Sequence, residues 1–256
     1  MLAWPLMASK VHIGPAVVLT YALSLLFAAG LAFGIPYLST ELLGVAGRVA
    51  LLPPPGSWRW LYLHHGAQLG LALIAIAIVR RFVPADYGLH LPRGKTYVGV
   101  ALVGGLCFAL IASAAAYGPS LIAHKAPVLG YAPTTANVVG WLTFEGFYVG
   151  PTEEIPFRAF LVTYLAATIP GSVRLLGREL SIGAVIAAAI FGLSHWNYGV
   201  LPFPLALGQQ AYAFALGLFY AYCLEKSRSV LAPILAHNVS DVFVTALGLL
   251  LFLFLR

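Results

Sequence analysis

Residues 138–168 read VVGWLTFEGFYVGPTEEIPFRAFLVTYLAAT, a run long enough and apolar enough to cross a lipid bilayer. Inside this run lie four charged residues, of which Glu153, Glu154 and Arg158 are close together in the sequence and Glu145 is further away. One charge at the middle of a membrane helix costs about 3 kcal/mol on translocon scales. A cluster of such residues therefore indicates a shared polar site between helices, where we expect the protein to work.

The whole chain has the composition of a membrane protein. It contains 256 residues, of which 61% are hydrophobic and 9% are charged, whereas a soluble domain is typically about 25% charged. We therefore predict an all-α, polytopic transmembrane helix bundle with a buried polar site. Residues 1–256 are expected to form one membrane-embedded domain, with N-terminal helices in 1–130 and catalytic helices in 131–256.

Apolar runs between polar or Pro/Gly-rich breaks predict six to eight spans, because about 20 helical residues cross a bilayer. With the N-terminus inside and seven spans, nine Lys and Arg residues fall on the inner side and four on the outer side, which favours that orientation. The candidate spans are residues 14–38, 60–79, 97–117, 138–168, 181–196, 207–224 and 230–255.

The net charge of +6 comes from basic residues in short loops at helix ends. This is the ordinary pattern of the positive-inside rule. The sequence has no basic patch interleaved with aromatic residues. The expected partner is therefore the lipid bilayer, and a nucleic-acid partner is not expected.

Gly150, Pro151 and Thr152 predict a break in the run 138–168. Thr152 is a good helix N-cap, which would place both glutamates in a first helical turn, near the positive end of the helix dipole. Pro156 cannot donate a backbone hydrogen bond. We therefore expect either a free carbonyl one turn earlier or a kink in the helix.

Glu154 and Arg158 are four residues apart and are expected to pair on one helix face. Glu153 points about 100° away from Glu154, so the two acids have different environments. One would be neutralised structurally, and the other would be available for proton chemistry. The alternative is purely structural, with a self-contained ion pair and Glu153 as a helix cap.

Two further motifs carry histidine into apolar runs. His195 ends a helix of small residues that permits close packing, and Phe191, one turn earlier, is expected to pack against its ring. His237 and Asp241 share one helix face, so Asp241 is expected to fix the tautomer of His237, while Asn238 points elsewhere. The alternatives are a structural histidine and a hydrogen-bonded strut between helices.

Together the three motifs resemble those of the CPBP intramembrane proteases, the CAAX-protease and bacteriocin-processing family, which includes the Ras-converting CAAX endopeptidase. The family patterns E-E-x-x-x-R, F-x-x-x-H and H-x-x-x-[D/N] are matched in this order by residues 153–158, 191–195 and 237–241. The resemblance covers the C-terminal half of the chain. Pro156 departs from the family, which more often has an ordinary apolar residue there, and this leaves the tilt of Glu153 open.

The resemblance implies a glutamate-type intramembrane endopeptidase with no cofactor and no metal. Glu153 would be the general base that activates the attacking water, with His195 helping to hold it. His237 and Asp241 would polarise the scissile carbonyl or stabilise the oxyanion, and the ion pair of the first motif would support this geometry. The candidate catalytic residues are Glu153, Glu154, Arg158, His195, His237 and Asp241.

The expected substrate is a membrane-anchored protein or peptide that is cut near its C-terminus. Prenylated CAAX tails, bacterial prepeptides and sorting tails all remain open. We expect a multi-pass integral membrane protein in a bacterial or archaeal cell membrane. The sequence does not indicate the oligomeric state.

Other functions remain open on the residues alone. Glu153, His195, His237 and Asp241 could supply ligands for zinc, although the chain has no H-E-x-x-H motif. The same polar cluster could serve a proton-coupled transporter, although the two related halves common in transporters are not visible. A catalytically silent membrane scaffold is the third alternative.

Several other polar residues have weaker interpretations. His64 and His65 begin the second span and are expected at the membrane interface. Glu145 is either a third acid near the cavity or a residue that faces a loop. Tyr148 and Asn197 are candidate substrate contacts because they lie close to the motifs.

Overall fold

The structure, a computed structural model, describes residues 15–48, 52–93, 97–195 and 201–256; the predicted contact residue Asn197 lies outside these ranges. The described residues form seven helices and one two-stranded hairpin, which confirms the all-α membrane bundle. The helices are α1 (Pro15–Ala46), α2 (Trp58–Val79), α3 (Val98–Ile122), α4 (135–168), α5 (Ile182–Ser194), α6 (Phe203–Ser227) and α7 (Leu231–Leu255), and the hairpin strands are β1 (Ser172–Leu175) and β2 (Arg178–Ser181).

Four of the described helices, α1, α2, α3 and α7, are long and apolar enough to cross a membrane. Helix α5 is also apolar but has only 13 residues, fewer than the roughly 20 that a simple crossing needs. The chain thus has the helices of an integral membrane protein. The number of crossings, six to eight, stays a prediction.

Helix α4 continues through Gly150–Thr152, so the predicted break is wrong. Thr152 is not a cap, because its hydroxyl lies inside the helix and donates to the carbonyl of Tyr148 at 2.9 Å. A π turn is wider than an α turn, so the helix accommodates its prolines without ending. The α-helical segments are Thr135–Thr143, Val149–Glu154 and Thr163–Thr168, and the π-helical segments are Phe144–Tyr148 and Ile155–Val162.

The loop predicted at residues 169–180 contains the antiparallel hairpin of β1 and β2. The turn residues Leu176 and Gly177 have positive φ angles of 48° and 73°, as a two-residue hairpin turn of type I′ requires. At the end of β2, the Ser181 hydroxyl accepts a hydrogen bond from the Ala184 N–H at 2.9 Å and caps α5. The hairpin therefore fixes where the helix of the second motif begins.

Two glycines allow helices to approach each other closely at interfaces beside the polar residues. A Cβ atom at Gly105 of α3 would lie 2.5 Å from the carbonyl oxygen of Ala236 on α7, which immediately precedes His237. A Cβ atom at Gly192 of α5 would lie 3.2 Å from Cβ of Phe214 on α6. The close packing predicted for the small-residue helix is confirmed.

Candidate active site

Glu154 of α4 is fully buried and has two nitrogen partners. Its Oε1 accepts hydrogen bonds from Nη1 of Arg158 at 3.1 Å and from Nδ1 of His237 at 2.6 Å. Glu154 is 0% exposed and Arg158 is 1% exposed, so both charges depend on this pairing for compensation. The predicted ion pair between Glu154 and Arg158 is confirmed.

Aromatic rings from three helices surround the guanidinium of Arg158. Its Cζ lies 4.0 Å from the ring centroid of Phe191 on α5, 5.0 Å from that of Tyr220 on α6 and 5.9 Å from that of Phe157 on α4. The faces of such rings attract a guanidinium. The first and second motifs therefore meet through Phe191.

His237 of α7 lies between two carboxylates. Its Nδ1 contacts Glu154, its Nε2 lies 3.1 Å from Oδ2 of Asp241, and its ring stacks on Tyr220 with centroids 5.2 Å apart. The predicted contact with Asp241 is confirmed, whereas the contact with Glu154 was not predicted. Carboxylate oxygens accept hydrogen bonds, so both contacts are satisfied when each ring nitrogen carries a hydrogen.

Glu153 has a more open environment than its neighbour. Its side chain is 21% exposed, and within the described residues no direct hydrogen bond to its carboxylate is present. Oε2 lies 3.9 Å from Nε2 of His237, and Oε1 lies 4.0 Å from Nδ1 of His65 on α2. These distances are too long for direct hydrogen bonds but suit a bridging molecule. Glu153 is therefore a reachable carboxylate between two imidazoles.

His195 is held by its own helix. Its Nδ1 donates to the carbonyl of Phe191 at 2.8 Å, and the two rings pack with centroids 4.6 Å apart, as the sequence predicted. In the part of the chain that the structure describes, no hydrogen bond or ion pair joins His195 to the other candidate residues. The role of His195 in holding water stays a prediction.

Two further contacts that hold the site were not predicted from the sequence. His65, expected at the interface, lies against α4, with Nδ1 3.2 Å from Oγ1 of Thr152. Asn238, expected to point elsewhere, accepts a hydrogen bond from the Gly150 N–H at 2.9 Å and ties α7 to α4. The only signal for His65 was a polar side chain within an apolar run, the same signal that identified the three motifs.

Two earlier residues of α4 border the same region. Glu145 is close enough to Asp241 and His237 for electrostatic interaction, so of its two interpretations the structure favours a third acid near the site. The hydroxyl of Tyr148 donates to the carbonyl of Tyr62 at 3.1 Å, which joins α4 to α2. A role for Tyr148 as a substrate contact stays a prediction.

A metal site gains no support from the side-chain geometry. Among the residues that the structure describes, no group of three or more His, Cys, Asp or Glu side chains is arranged to hold a metal ion. The carboxylates of Glu154 and Asp241 contact nitrogen donors of the protein instead. The arrangement has the components of acid–base chemistry, namely carboxylates of different exposure beside an imidazole.

Comparison with known proteins agrees with the motifs. No curated protein and no solved structure matches the chain. Residues 135–243 match the family model described as Rce1-like, type II CAAX prenyl endopeptidase Rce1-like. This segment includes α4, α5, α6 and the first half of α7, and so all three motifs. The match confirms the family resemblance, and the chain is identified as similar to the Rce1-like, CAAX-type intramembrane proteases.

Proposed function

We propose that this protein is an intramembrane endopeptidase in which Glu153 activates water to hydrolyse a peptide bond. The observation that carries the proposal is the difference between two adjacent carboxylates. Glu154 is fully buried and paired, whereas Glu153 is partly exposed and faces two imidazoles. A general base must be able to reach water and accept a proton, and Glu153 meets both requirements.

In the first proposed step, the water oxygen attacks the scissile carbonyl carbon while Glu153 takes a proton from the water. The new C–O bond pushes the carbonyl electron pair onto oxygen and creates an oxyanion. Nε2 of His237 lies 3.9 Å from Oε2 of Glu153 and 3.1 Å from Oδ2 of Asp241, and in this step its hydrogen is shared between Asp241 and that oxyanion. Contacts with Glu154 and Asp241 hold the ring in place, and such a preoriented donor stabilises developing charge.

In the second proposed step, the tetrahedral intermediate collapses and the C–N bond breaks. Glu153 returns its proton to the leaving amine, so the reaction consumes one water and produces a carboxylic acid and an amine, which then exchange a proton to become a carboxylate and an ammonium. Arg158 acts at a distance in this scheme, since it neutralises Glu154 and thereby supports His237. His195 keeps the role that the family resemblance implies, which is to help hold the water.

The proposed substrate is a protein or peptide presented at the membrane and cut near its C-terminus. The description of the matched family, a CAAX prenyl endopeptidase, supports a C-terminal tail. Whether the tail carries a prenyl group is decided by comparing a farnesylated peptide with the same peptide lacking the lipid. The proposed location is a bacterial or archaeal cell membrane, crossed several times.

The test uses the full chain in liposomes and compares wild type with two Glu→Gln variants. Glu153→Gln removes the proposed base, and Glu41→Gln makes the same change at an exposed position of α1. We expect Glu153→Gln to lower peptide cleavage by about 100-fold or more with an unchanged melting temperature. Glu41→Gln should cleave like the wild type. Comparative proteomics of membrane-protein termini with wild type and Glu153→Gln would then name the natural substrate.

Other outcomes would favour the alternatives. If Glu153→Gln cleaves as fast as wild type, the proposed mechanism is wrong. If wild type cleaves no terminus and instead moves protons across the liposome membrane, and Glu153→Gln does not, the transporter hypothesis replaces it. If neither property depends on Glu153, the scaffold hypothesis remains.

A further inference from the structure

His65 is the closest polar contact that the N-terminal helices make with Glu153. Its Nδ1 lies 4.0 Å from Oε1 of Glu153 and 3.2 Å from Oγ1 of Thr152, the residue before Glu153. The imidazole is only 12% exposed. It therefore approaches the carboxylate from α2, outside the segment that carries the three motifs.

The contact with Thr152 shows which ring nitrogen of His65 carries the hydrogen. The Thr152 hydroxyl has one hydrogen, and its oxygen lies 2.9 Å from the carbonyls of both Tyr148 and Val149. That hydrogen is therefore used inside α4, and Oγ1 is left to accept. His65 must donate from Nδ1, so an N–H faces the Thr152–Glu153 edge of α4.

The two oxygens of Glu153 are thus faced by different rings. His65 approaches Oε1 from α2, and His237 approaches Oε2 from α7. A carboxylate with an imidazole nitrogen 3.9–4.0 Å from each of its oxygens has a restricted rotation about its final side-chain bond. This restriction aims one oxygen toward the region where Nε2 of His237 lies.

We propose that His65 is a positioning residue for Glu153, holding the carboxylate in the orientation that activates water. The proposal rests on the proposed protease function and extends its site to the N-terminal helices. His65 acts through Glu153 and makes no contact with the reacting atoms. Its removal should therefore reduce turnover more than substrate binding.

The neighbouring His64 provides a matched control. It lies on the same turn of α2 but has other partners: Nε2 is 3.1 Å from Oγ1 of Thr40 on α1, and Nδ1 is 3.3 Å from Nε2 of Gln68. Its ring stacks on Trp60 at 4.7 Å. No hydrogen bond or ion pair between His64 and Glu153 is present in the described residues.

The experiment compares His65→Leu, His65→Asn and His64→Leu with wild type in the liposome cleavage assay, with melting temperatures measured in parallel. We expect His65→Leu to lower kcat by about 10- to 100-fold with KM changed by less than about twofold. An asparagine amide occupies nearly the same position as Nδ1, so His65→Asn should recover a large part of kcat. His64→Leu should keep the wild-type kcat.

Each outcome decides the proposal. Wild-type kcat in His65→Leu overturns the inference and leaves the protease function intact. A loss in His65→Leu that Asn does not rescue, or that His64→Leu shares together with a lower melting temperature, shows a structural role and also overturns it. Undiminished cleavage by Glu153→Gln removes the proposed function, and the positioning role with it.

Discussion

Two regions of the site, around Glu154 and around Glu153, give neighbouring carboxylates opposite environments. At Glu154, a guanidinium and an imidazole make direct contacts of 3.1 and 2.6 Å with a carboxylate that has no exposure. At Glu153, the nearest ring nitrogens stand 3.9 and 4.0 Å away, and 21% of the side chain is exposed. The first region encloses and pairs a carboxylate, and the second leaves a carboxylate that a bridging molecule can reach.

The difference shows how one helix gives two roles to consecutive residues. Successive side chains on a helix point about 100° apart, so Glu154 turns toward the rings around Arg158 while Glu153 turns toward His65 of α2. Neither residue type nor sequence neighbourhood separates them. His237 of α7 faces both carboxylates, and the other partner separates them. That partner is Arg158 of α4 for Glu154 and His65 of α2 for Glu153.

The largest expected effect comes from breaking the Glu154 region. Glu154→Gln leaves Arg158 buried without a counter-charge, which should lower the free energy of unfolding by about 3–5 kcal/mol. Glu153→Gln should change it by less than about 1 kcal/mol. Thermal and denaturant unfolding in detergent measures both. Equal losses in the two variants would contradict the division between the regions.

A medium loss of stability is expected from a substitution at the contact between α4, which carries both carboxylates, and α7, which carries His237. A Cβ atom at Gly150 would lie 2.2 Å from Oδ1 of Asn238 and 2.9 Å from the carbonyl oxygen of Ile234, so Gly150→Ala must displace the Asn238 side chain and push against the backbone of α7. We expect a loss of stability of about 1–3 kcal/mol and a lower rate of cleavage. Gly146→Ala is the control, because its Cβ would lie 3.4 Å from Val242. Similar behaviour of the two variants would show that this interface is not tight.

The smallest effect concerns an exposed histidine–carboxylate pair outside the membrane helices, the counterpart of the buried pair of His237 and Glu154. His90 Nε2 lies 2.9 Å from Oδ1 of Asp86 in the loop between α2 and α3. Donation from Nδ1 to the Leu91 carbonyl and from Nε2 to Asp86 raises the pKa of His90 above its usual 6.5. Partial burial raises the pKa of Asp86, but hydrogen bonds from His90 and the Gly88 N–H outweigh it and lower that pKa overall.

The raised pKa of His90 sets the sign of the pH dependence. A histidine whose pKa is raised by folding stabilises the fold fully below its unfolded pKa, and this contribution is lost as pH rises through the folded value. His90→Ala should therefore lower the melting temperature more at pH 5.5 than at pH 9, by only a small amount because the pair is exposed. A difference in melting temperature between wild type and His90→Ala that stays constant from pH 5.5 to pH 9 would contradict this link between protonation and stability.

The local parts of the site could be predicted from the sequence. Glu154 with Arg158 and His237 with Asp241 are four residues apart, and helix geometry alone brings such residues together. The contact of His195 with Phe191 is local in the same way. Each of these predictions needed only the assumption that the apolar runs are helices.

The remaining contacts depend on how helices that are distant in the sequence pack together, and the spacing of residues along the chain does not predict that packing. His65 reaches α4 because α2 lies beside it, and Asn238 meets Gly150 across two helices. The continuity of α4 was missed because Gly150, Pro151 and Thr152 are strong breakers locally. The π-helical segments beside them make room that a regular α-helix would not have.

The close approach of Gly105 to the backbone at Ala236 has a consequence for protein engineering. The family match begins at residue 135, so α3 lies outside it, yet α3 determines where the backbone before His237 can run. In a chimaera that takes only residues 135–243 from this protein, the first half of its α7 would pack against the third helix of an unrelated protein. Transplanting the activity intact therefore requires that the third helix travel with the matched segment.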